Sequence, residues 1–389
     1  MSIENARSGM IREFLERHNL QGWLSWRPDE LVLQLGYTSY WGMSFLLSLR
    51  TGERILFAPE LEPRNTIPEG VELVLYPWGC LGCADPFAVL TDKLDFELYK
   101  RRLPRHSIGI SSMPGRSSMP ILAAEQPPIT DPVLRKLTVD MAASIELDHA
   151  FLGLYLFKTD RDIEQIRIAN RVALAGLDAW RASLAPGITE AEAASIAEAA
   201  IHRRTGEPGI DSARGWAMVQ SGANTACAGA FNRSSGKRIA SGDLVLIELA
   251  TCVNGYWSDL TRTEPVGSVS PQSADLLDAV RSSQQAALRL LRPGVAAREV
   301  DAAARQVLER AGLADYFTHA TGHHVGFRYH DPGFAISPDS DGILTAGMVI
   351  TIEPGAYLAP CSMGARIEDN LAVTVNGADI LSAESQALK

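Results

Sequence analysis

The sequence has few of the features that mark membrane, secreted or nucleic-acid-binding proteins. No apolar run approaches the roughly 20 residues that cross a bilayer. The N-terminus MSIENARSGM also lacks the basic-then-apolar layout of a signal peptide. The net charge is -10 at pH 7 and no basic run is present, which argues against nucleic acid as a partner. These absences predict a cytoplasmic protein that acts on neither membrane nor nucleic acid.

Cysteine is also scarce. The chain has 5 cysteines, an odd number that does not make a disulfide framework in a protein of 389 residues. Cys80 and Cys83 form a CxxC pair, but no second Cys or His pair follows to complete a zinc site. We therefore interpret this pair as structural.

The length of 389 residues and a hydrophobic content of 46% predict two domains with substantial cores. The first, residues 1–155, shows an α/β pattern and no sign of chemistry. Pro- and Ser-rich segments at 111–120 and 127–132 are predicted loops. The other predicted elements are a helix over 5–18, a strand after Gly22, a hairpin over 44–58, strands at 71–76 and 108–110, and a helix over 86–102.

The second domain, residues 156–389, begins with two helices and contains an internal repeat. Thr159 to Asp162 and Thr189 to Glu192 each resemble a capping box that opens a helix. Leu184 to Ile188 recurs as Leu291 to Val295 at an offset of 107 residues. Each half reads as a helix pair followed by strands, so we predict a pseudo-twofold arrangement.

A hairpin over Gly242 to Thr263 is the centre of this prediction. Asn254-Gly255 separates its two β-rich arms, and this pair favours a two-residue turn because both residues tolerate positive φ. Such a turn pairs Ala250 with Asp259. Glu248 and Asp259 then become diagonal cross-strand neighbours, roughly 7 to 8 Å apart at the backbone.

Glu248 lies in a run, Leu244 to Leu249, that is apolar on both faces and therefore reads as a covered strand. Two buried carboxylates cannot both ionise without a cation or a shared proton. This stretch alone leaves open a cation site, an acid paired with Arg262, and an ordinary surface hairpin.

The repeat extends to two more acids. Glu353 and Glu368 fall within two residues of the positions that the offset assigns to Glu248 and Asp259. His323 lies between the last helix pair and Glu353. Carboxylates with one imidazole suit Mn²⁺, Co²⁺ or Zn²⁺, so the sequence predicts a site for two divalent metal ions.

Four motifs, in order, carry a resemblance to a known family: SDLTRT around Asp259, GHHVG around His323, IEPGAY around Glu353 and ARIED around Glu368. They resemble the motifs of the pita-bread metallohydrolases, which include methionine aminopeptidase, aminopeptidase P, prolidase and creatinase. The resemblance covers about residues 155–389. It implies an α+β pita-bread catalytic domain with an internal pseudo-twofold repeat, preceded by an α/β domain similar to the N-terminal domain of prolidases and creatinase.

The resemblance also implies roles for the site residues. Asp259 and Glu368 would bridge two metals, with His323 and Glu353 holding one ion and Glu248 the other. Glu353 would shuttle the proton, and His330 would contact the substrate near the scissile carbonyl. Arg366 has two open interpretations, holding a substrate carboxylate or orienting a ligand acid. Tyr256 and Arg262 read as hairpin packing and ligand orientation.

Two departures from the family pattern stand out. The family has an Asp where this chain has Glu248, and peptidases of the family carry a His after the segment that matches Ser221 to Asn224. Here no His occurs between His202 and His319. We expect a homodimeric, metal-dependent hydrolase of X-Pro bonds, most simply in dipeptides. The alternatives are an aminopeptidase P acting on longer peptides, a creatinase-like or ectoine-hydrolase-like enzyme acting on a C–N bond of a small non-peptide molecule, and an inactive binding module.

Overall fold

The computed structural model describes residues 3–39, 43–63, 67–78, 83, 85–111, 135–228 and 234–383. The chain divides into two compact units, Met1–Tyr155 and Leu156–Lys389. Most of the predicted loops at 111–120 and 127–132, together with Cys80, lie outside the described residues. Cys83 is a free thiol.

The first unit is built on a five-stranded mixed sheet with the order β4-β3-β2-β1-β5. The predicted hairpin is confirmed, because β2 and β3 pair antiparallel with Phe45 opposite Phe57. The strands are β1 Gly22–Ser25, β2 Phe45–Leu49, β3 Arg54–Pro59, β4 Glu72–Tyr76 and β5 Ile108–Ile110. The helices are α1 Ile3–Arg17, α2 Pro28–Leu35, α3 Pro86–Lys100 and α4 Ile145–Leu152.

The second unit holds two helix pairs and three sheets, ordered β6-β7-β8, β10-β9-β11-β14-β15 and β12-β13. Its long helices are α5 Asp160–Ser183, α6 Glu190–His202, α7 Pro271–Leu288 and α8 Ala297–Arg310. Its strands are β6 Ala213–Ser221, β7 Leu244–Val253, β8 Tyr256–Pro265, β9 Gly322–His324, β10 Asp331–Ile336, β11 Val349–Ile352, β12 Gly355–Leu358, β13 Met363–Arg366, β14 Asp369–Thr374 and β15 Gly377–Ile380.

Both predicted capping boxes are present. Thr159 accepts a hydrogen bond from the Asp162 backbone at the start of α5, and Asp162 accepts one from the Thr159 backbone in return. Thr189 and Glu192 do the same at the start of α6. These reciprocal bonds satisfy backbone N–H groups that would otherwise be unpaired in the first helical turn.

The predicted internal repeat is confirmed in backbone hydrogen bonds. Gly187 N–H donates to the Ile239 carbonyl at 2.8 Å, and in the second half Gly294 N–H donates to the Leu344 carbonyl at 2.8 Å. The same correspondence relates the pair Gly242–Val266 to the pair Gly347–Val373. The repeat therefore places the strands β7 and β8 in positions equivalent to β11 and β14.

The central hairpin forms as predicted. Asn254 has φ 51° and Gly255 has φ 85°, so both turn residues are left-handed. Ala250 pairs with Asp259, and Glu248 pairs with Thr261. Glu248 and Asp259 are therefore diagonal neighbours on one face of the sheet.

Alternation along the strands explains why these acids face inward. Ile247 and Leu249 of β7 pack in the core formed with α5 and α6, while Ile350 and Ile352 of β11 pack in the core formed with α7 and α8. Residues that alternate with them point to the opposite face of the sheet. Each helix pair therefore covers one strand face and leaves the other face to the site.

No helix within the described residues is both long and apolar enough to cross a membrane.

Substituting Gly255 by Ala is expected to destabilise the fold, because a Cβ at positive φ costs roughly 1–2 kcal/mol. The free energy of unfolding, measured by urea denaturation, should fall by about that amount. The matched control is Gly236→Ala, because Gly236 has no positive φ and an added Cβ meets nothing within 4 Å. The control should change the free energy of unfolding by no more than about 0.5 kcal/mol. Equal losses in the two variants would contradict the assigned turn.

Candidate metal centre

A cavity of about 370 Å³ inside the second unit collects most of the predicted site residues. It is lined by Ala228, Glu248, Thr318, His319, Ala320, His323, His330, Glu353 and Arg366. Asp259 and Glu368 lie directly behind this lining and are 1% and 0% exposed. The structure therefore brings the four predicted acids, His323, His330 and Arg366 to one place.

Asp259 and Glu368 meet where the two halves of the repeat join. Glu368 N–H donates to the Thr261 carbonyl at 3.0 Å, and Asp259 N–H donates to the Asn370 side-chain oxygen at 3.1 Å. Asp259 Oδ1 and Glu368 Oε1 are buried and have no hydrogen-bond partner. Buried acceptors without partners are costly, so these two oxygens favour a ligand in the cavity.

His323 is oriented as a metal ligand. Its Nδ1 lies 2.9 Å from the His324 carbonyl, which only accepts, so Nδ1 carries the proton in the neutral ring. The unprotonated Nε2 then faces Asp259 Oδ2 at 3.3 Å and Glu353 Oε1 at 3.6 Å. A backbone acceptor that fixes the tautomer in this way is typical of metal-binding histidines.

Glu353 follows β11 and faces the cavity. Its backbone N–H donates to the Thr321 carbonyl at 2.7 Å, which fixes the start of the segment after the strand. Burial raises the pKa of Glu353, although His323 opposes the shift. A raised pKa on an acid that faces a cavity is typical of a group that takes part in proton transfer.

Glu248 differs from the other acids because both of its oxygens accept hydrogen bonds. Oε1 accepts from the Tyr329 hydroxyl. Oε2 accepts from the Thr261 hydroxyl at 2.6 Å and from Arg366. Burial opposes ionisation of Glu248, but Arg366 and these hydrogen bonds outweigh burial and lower its pKa.

Arg366 is 4% exposed and is held on three sides. It donates to Glu248, to the Tyr357 hydroxyl at 2.6 Å and to the Thr261 hydroxyl at 3.1 Å. Of the two interpretations left open by the sequence, this geometry favours orientation of an acid.

The other pairing considered from the sequence, between a site acid and Arg262, is not what the structure contains. Arg262 instead donates to the Glu368 carbonyl at 2.6 Å and to Asp369 at 2.7 Å. It thereby holds the backbone that carries Glu368. Tyr256 donates to Asp162 at 3.1 Å, which links the hairpin to α5.

His330 lies on a short loop between β9 and β10, with its ring 4.0 Å from the His323 ring. Asp331 closes this loop by accepting from the backbone N–H groups of Phe327 and Arg328. Lys158 Nζ lies 2.9 Å from Asp331, and neither side chain has solvent exposure. A buried ion pair thus anchors the loop that presents His330.

Burial and mutual repulsion together disfavour negative charge on the acids of the cavity. Burial, then the negative charges of Glu248 and Glu353, raise the pKa of Asp259 well above its usual range. Burial, then Asp259 and Glu353, do the same for Glu368. These shifts disfavour the charged forms of both acids, and a nearby divalent cation would favour them instead.

The donor set fits a metal ion. The described residues contain three groups in which the possible ligand atoms all lie within 4.8 Å of one another. Two of these groups combine carboxylate oxygens with imidazole nitrogens, and the third consists of carboxylates alone. The groups are Asp259, His323 and His330; His323, Glu353 and Glu368; and Glu248, Asp259 and Glu368. Hard oxygen donors with imidazole match the preferences of first-row divalent metals.

The sequence reasoning missed three residues of the cavity region: His319, Tyr329 and Tyr357. His319 Nδ1 lies 2.8 Å from the Ala320 carbonyl, and its Nε2 lies 2.9 Å from the Tyr357 hydroxyl. Burial lowers the pKa of His319 to about 4, so its ring is neutral near pH 7. The spacing of four residues between His319 and His323 was the available signal. Tyr329 is adjacent to His330 but carries no motif of its own.

Known proteins match this chain along most or all of its length. The model of metallopeptidase family M24 matches residues 164–375. The Xaa-Pro dipeptidase of Pyrococcus furiosus is 35% identical over 62% of this chain and 68% of its own length. The Xaa-Pro dipeptidase of Pyrococcus horikoshii is 29% identical over the whole of both chains. The crystal structure of the prolidase from Pyrococcus horikoshii superposes with a TM-score of 0.77 at 25% identity, covering 99% of this chain and all of that one.

Replacing Lys158 by Met is expected to lower the free energy of unfolding by about 3–5 kcal/mol, because Asp331 is left buried without its cation. Urea denaturation measures this loss. The control is Arg204→Met, which breaks the Arg204–Glu207 pair at 2.7 Å between side chains that are 42% and 44% exposed. That change should cost less than about 1 kcal/mol. A Lys158 variant as stable as the control would show that the ion pair does not anchor the loop.

Proposed function

Because the chain belongs to metallopeptidase family M24, we propose that it hydrolyses the peptide bond of Xaa-Pro dipeptides. One observation carries this proposal. Asp259 and Glu368 present bare, buried carboxylate oxygens beside His323 and Glu353, in a chain that aligns end to end with an Xaa-Pro dipeptidase. The two compact units are then an N-terminal α/β domain and a catalytic domain.

Divalent metal ions are the cofactor of the proposed reaction. Asp259, His323, Glu353 and Glu368 would hold one ion, and any second position would need the Glu248 carboxylate together with Asp259 and Glu368. Mn²⁺, Zn²⁺ or Co²⁺ suits these donors. Bound here, such an ion lowers the pKa of a water molecule and polarises a carbonyl group.

The chain's own residues move the proton and stabilise charge. Glu353, whose pKa is raised by burial, accepts a proton from the attacking water and returns it to the proline nitrogen as the C–N bond breaks. His330 is neutral because burial lowers its pKa, so its ring N–H donates a hydrogen bond to the oxygen that becomes negative. The contact between His323 Nδ1 and the His324 carbonyl keeps Nε2 directed at Asp259 and Glu353 during the reaction.

Proline specificity follows from the substrate's chemistry. The amide before proline is tertiary and lacks an N–H, so a site that reads the ring needs no acceptor at that position. A cavity of about 370 Å³ lies at the small end of ligand pockets, which favours dipeptides over long peptides. Arg366 is committed to Glu248, Thr261 and Tyr357, so we assign it the positioning of Glu248 and not the binding of a substrate carboxylate.

The segment where family peptidases carry an additional His bears on the alternative functions. Ala228 lines the cavity on that side, and residues 229–231 lie outside the described part of the chain. Because this side of the cavity lacks the family His, the substrate must contact different residues here. Aminopeptidase P activity and hydrolysis of a C–N bond in a small non-peptide molecule therefore remain alternatives. Cytoplasmic location and homodimer formation stay predictions, and light scattering of the purified protein tests the latter.

The purified protein with Mn²⁺ is expected to release proline from Xaa-Pro dipeptides. Chelation should abolish the activity and added Mn²⁺ should restore it. The measurement is proline release from a panel of Xaa-Pro dipeptides, with Xaa-Pro-containing longer peptides and small amidino or cyclic compounds as comparisons. Cleavage of the longer peptides alone would support aminopeptidase P. Failure to release proline or an N-terminal residue from any peptide would overturn the proposed function.

Glu368→Gln is expected to lose both metal binding and turnover by at least about 100-fold, because it removes the charge of an acid shared by two ligand groups. The matched control is Glu264→Gln on β8, whose acid pairs with Arg181 outside the site. Metal analysis and thermal melting provide the readouts. Saturating metal at 100 times Kd adds about 2.7 kcal/mol to the control's stability. The Glu368 variant should gain none of this, and a metal-dependent melt in that variant would contradict its assigned role.

A further inference from the structure

The four acids of the metal centre are not equivalent. Asp259 and Glu368 each keep one buried oxygen without a hydrogen-bond partner. Glu248 keeps none, because its Oε1 accepts from Tyr329 and its Oε2 accepts from Thr261 and Arg366. Asp259 and Glu368 therefore favour a bound cation more strongly than Glu248 does.

The Tyr329 hydroxyl lies between two of these acids. It donates to Glu248 Oε1, and its hydrogen bonding also acts on Asp259. This is the space between Glu248 and Asp259 that a cation held by Glu248, Asp259 and Glu368 would use. A phenol hydroxyl has one proton to donate to these acids, and it carries no formal charge.

The phenol ring of Tyr329 is fixed in this position. The side chain has no solvent exposure. Its ring centroid lies 6.1 Å from that of Trp257 and 4.7 Å from that of His330, and Trp257 stacks on Trp216 at 5.3 Å. Moving the hydroxyl aside would require repacking of this aromatic group, which a close-packed interior resists.

Arg366 opposes a cation from the other side of Glu248. Its guanidinium contacts Glu248 Oε2, so the charge of this acid is already matched. A divalent ion bound through Glu248 would lie close to that guanidinium and would therefore be held more weakly than one at Asp259 and Glu368. Oε1 accepts from Tyr329, and Oε2 accepts from Thr261 and Arg366, so a metal at Glu248 would have to displace a donor or share an oxygen with one.

We propose that the Tyr329 hydroxyl occupies the cation position between Glu248 and Asp259, and that the chain therefore binds one divalent ion per molecule. The ligands of that ion are Asp259, His323, Glu353 and Glu368. This inference rests on the proposed function only in assigning a divalent metal to the site. Glu248 then acts as a positioning residue that holds Tyr329 and Arg366.

The test counts metal ions in the full-length chain without any substrate. Metal-depleted protein is titrated with Mn²⁺ by calorimetry, and the bound metal is counted by mass spectrometry after gel filtration. The wild-type chain is expected to bind one ion. Tyr329→Phe removes the hydroxyl and frees Glu248 Oε1, so this variant is expected to bind two.

The control variant is Tyr256→Phe, which removes a buried tyrosine hydroxyl that donates to Asp162. It should bind one ion, as the wild type does. Adding Glu248→Gln to Tyr329→Phe should return the count from two to one, because the new ion needs the Glu248 carboxylate.

Two ions in the wild-type chain, or one ion in a folded Tyr329→Phe variant, would overturn the proposal. If Tyr329→Phe fails to fold, Glu248→Gln alone decides the question. It should leave one ion with Kd changed by no more than about threefold, whereas Asp259→Asn should weaken binding by at least about 100-fold. Loss of an ion in Glu248→Gln would equally overturn the proposal. A one-ion protein that cleaves no Xaa-Pro peptide fails only the proposed function, and a two-ion dipeptidase fails only this inference.

Discussion

The crowding of four acids around one cavity is the constraint on which the rest of the second unit depends. At an effective dielectric of about 20, a pair of like charges 4 Å apart costs roughly 4 kcal/mol. That is a large part of the 5–15 kcal/mol that holds a typical domain together. The chain relieves the cost in two different ways. Glu248 is neutralised by Arg366 and its hydrogen bonds, whereas Asp259 and Glu368 are left with oxygens that require a cation or protons.

Much of this arrangement could be predicted from the sequence because it follows from local rules. The Asn254-Gly255 turn determines the register of β7 and β8, and the register determines that Glu248 and Asp259 share a face. The internal repeat then predicts that Glu353 and Glu368 occupy equivalent positions in the second half. Capping boxes located the starts of two helices for a similar reason, since each is a contact between residues three apart.

What could not be predicted depends on contacts between distant parts of the chain. Tyr329 meets Glu248 across 81 residues, and Arg366 meets it across 118. No periodicity or motif records such pairs, because they arise only when the two halves of the repeat pack together. The resemblance assigns Glu248 to a second ion, whereas in the structure both oxygens of this carboxylate already accept hydrogen bonds.

The join between the halves has a consequence for cooperativity. Glu248 and Asp259 belong to the first half of the repeat, whereas His323, Glu353 and Glu368 belong to the second, and the bridge between Thr261 and Glu368 connects them. Neither half alone contains a complete ligand set. An ion held by Asp259 together with His323, Glu353 and Glu368 would bind most tightly to chains in which both halves have folded and met, and it would stabilise their association. In partly folded chains, in which the repeats have not docked, the ion would lack the ligand that the first half supplies.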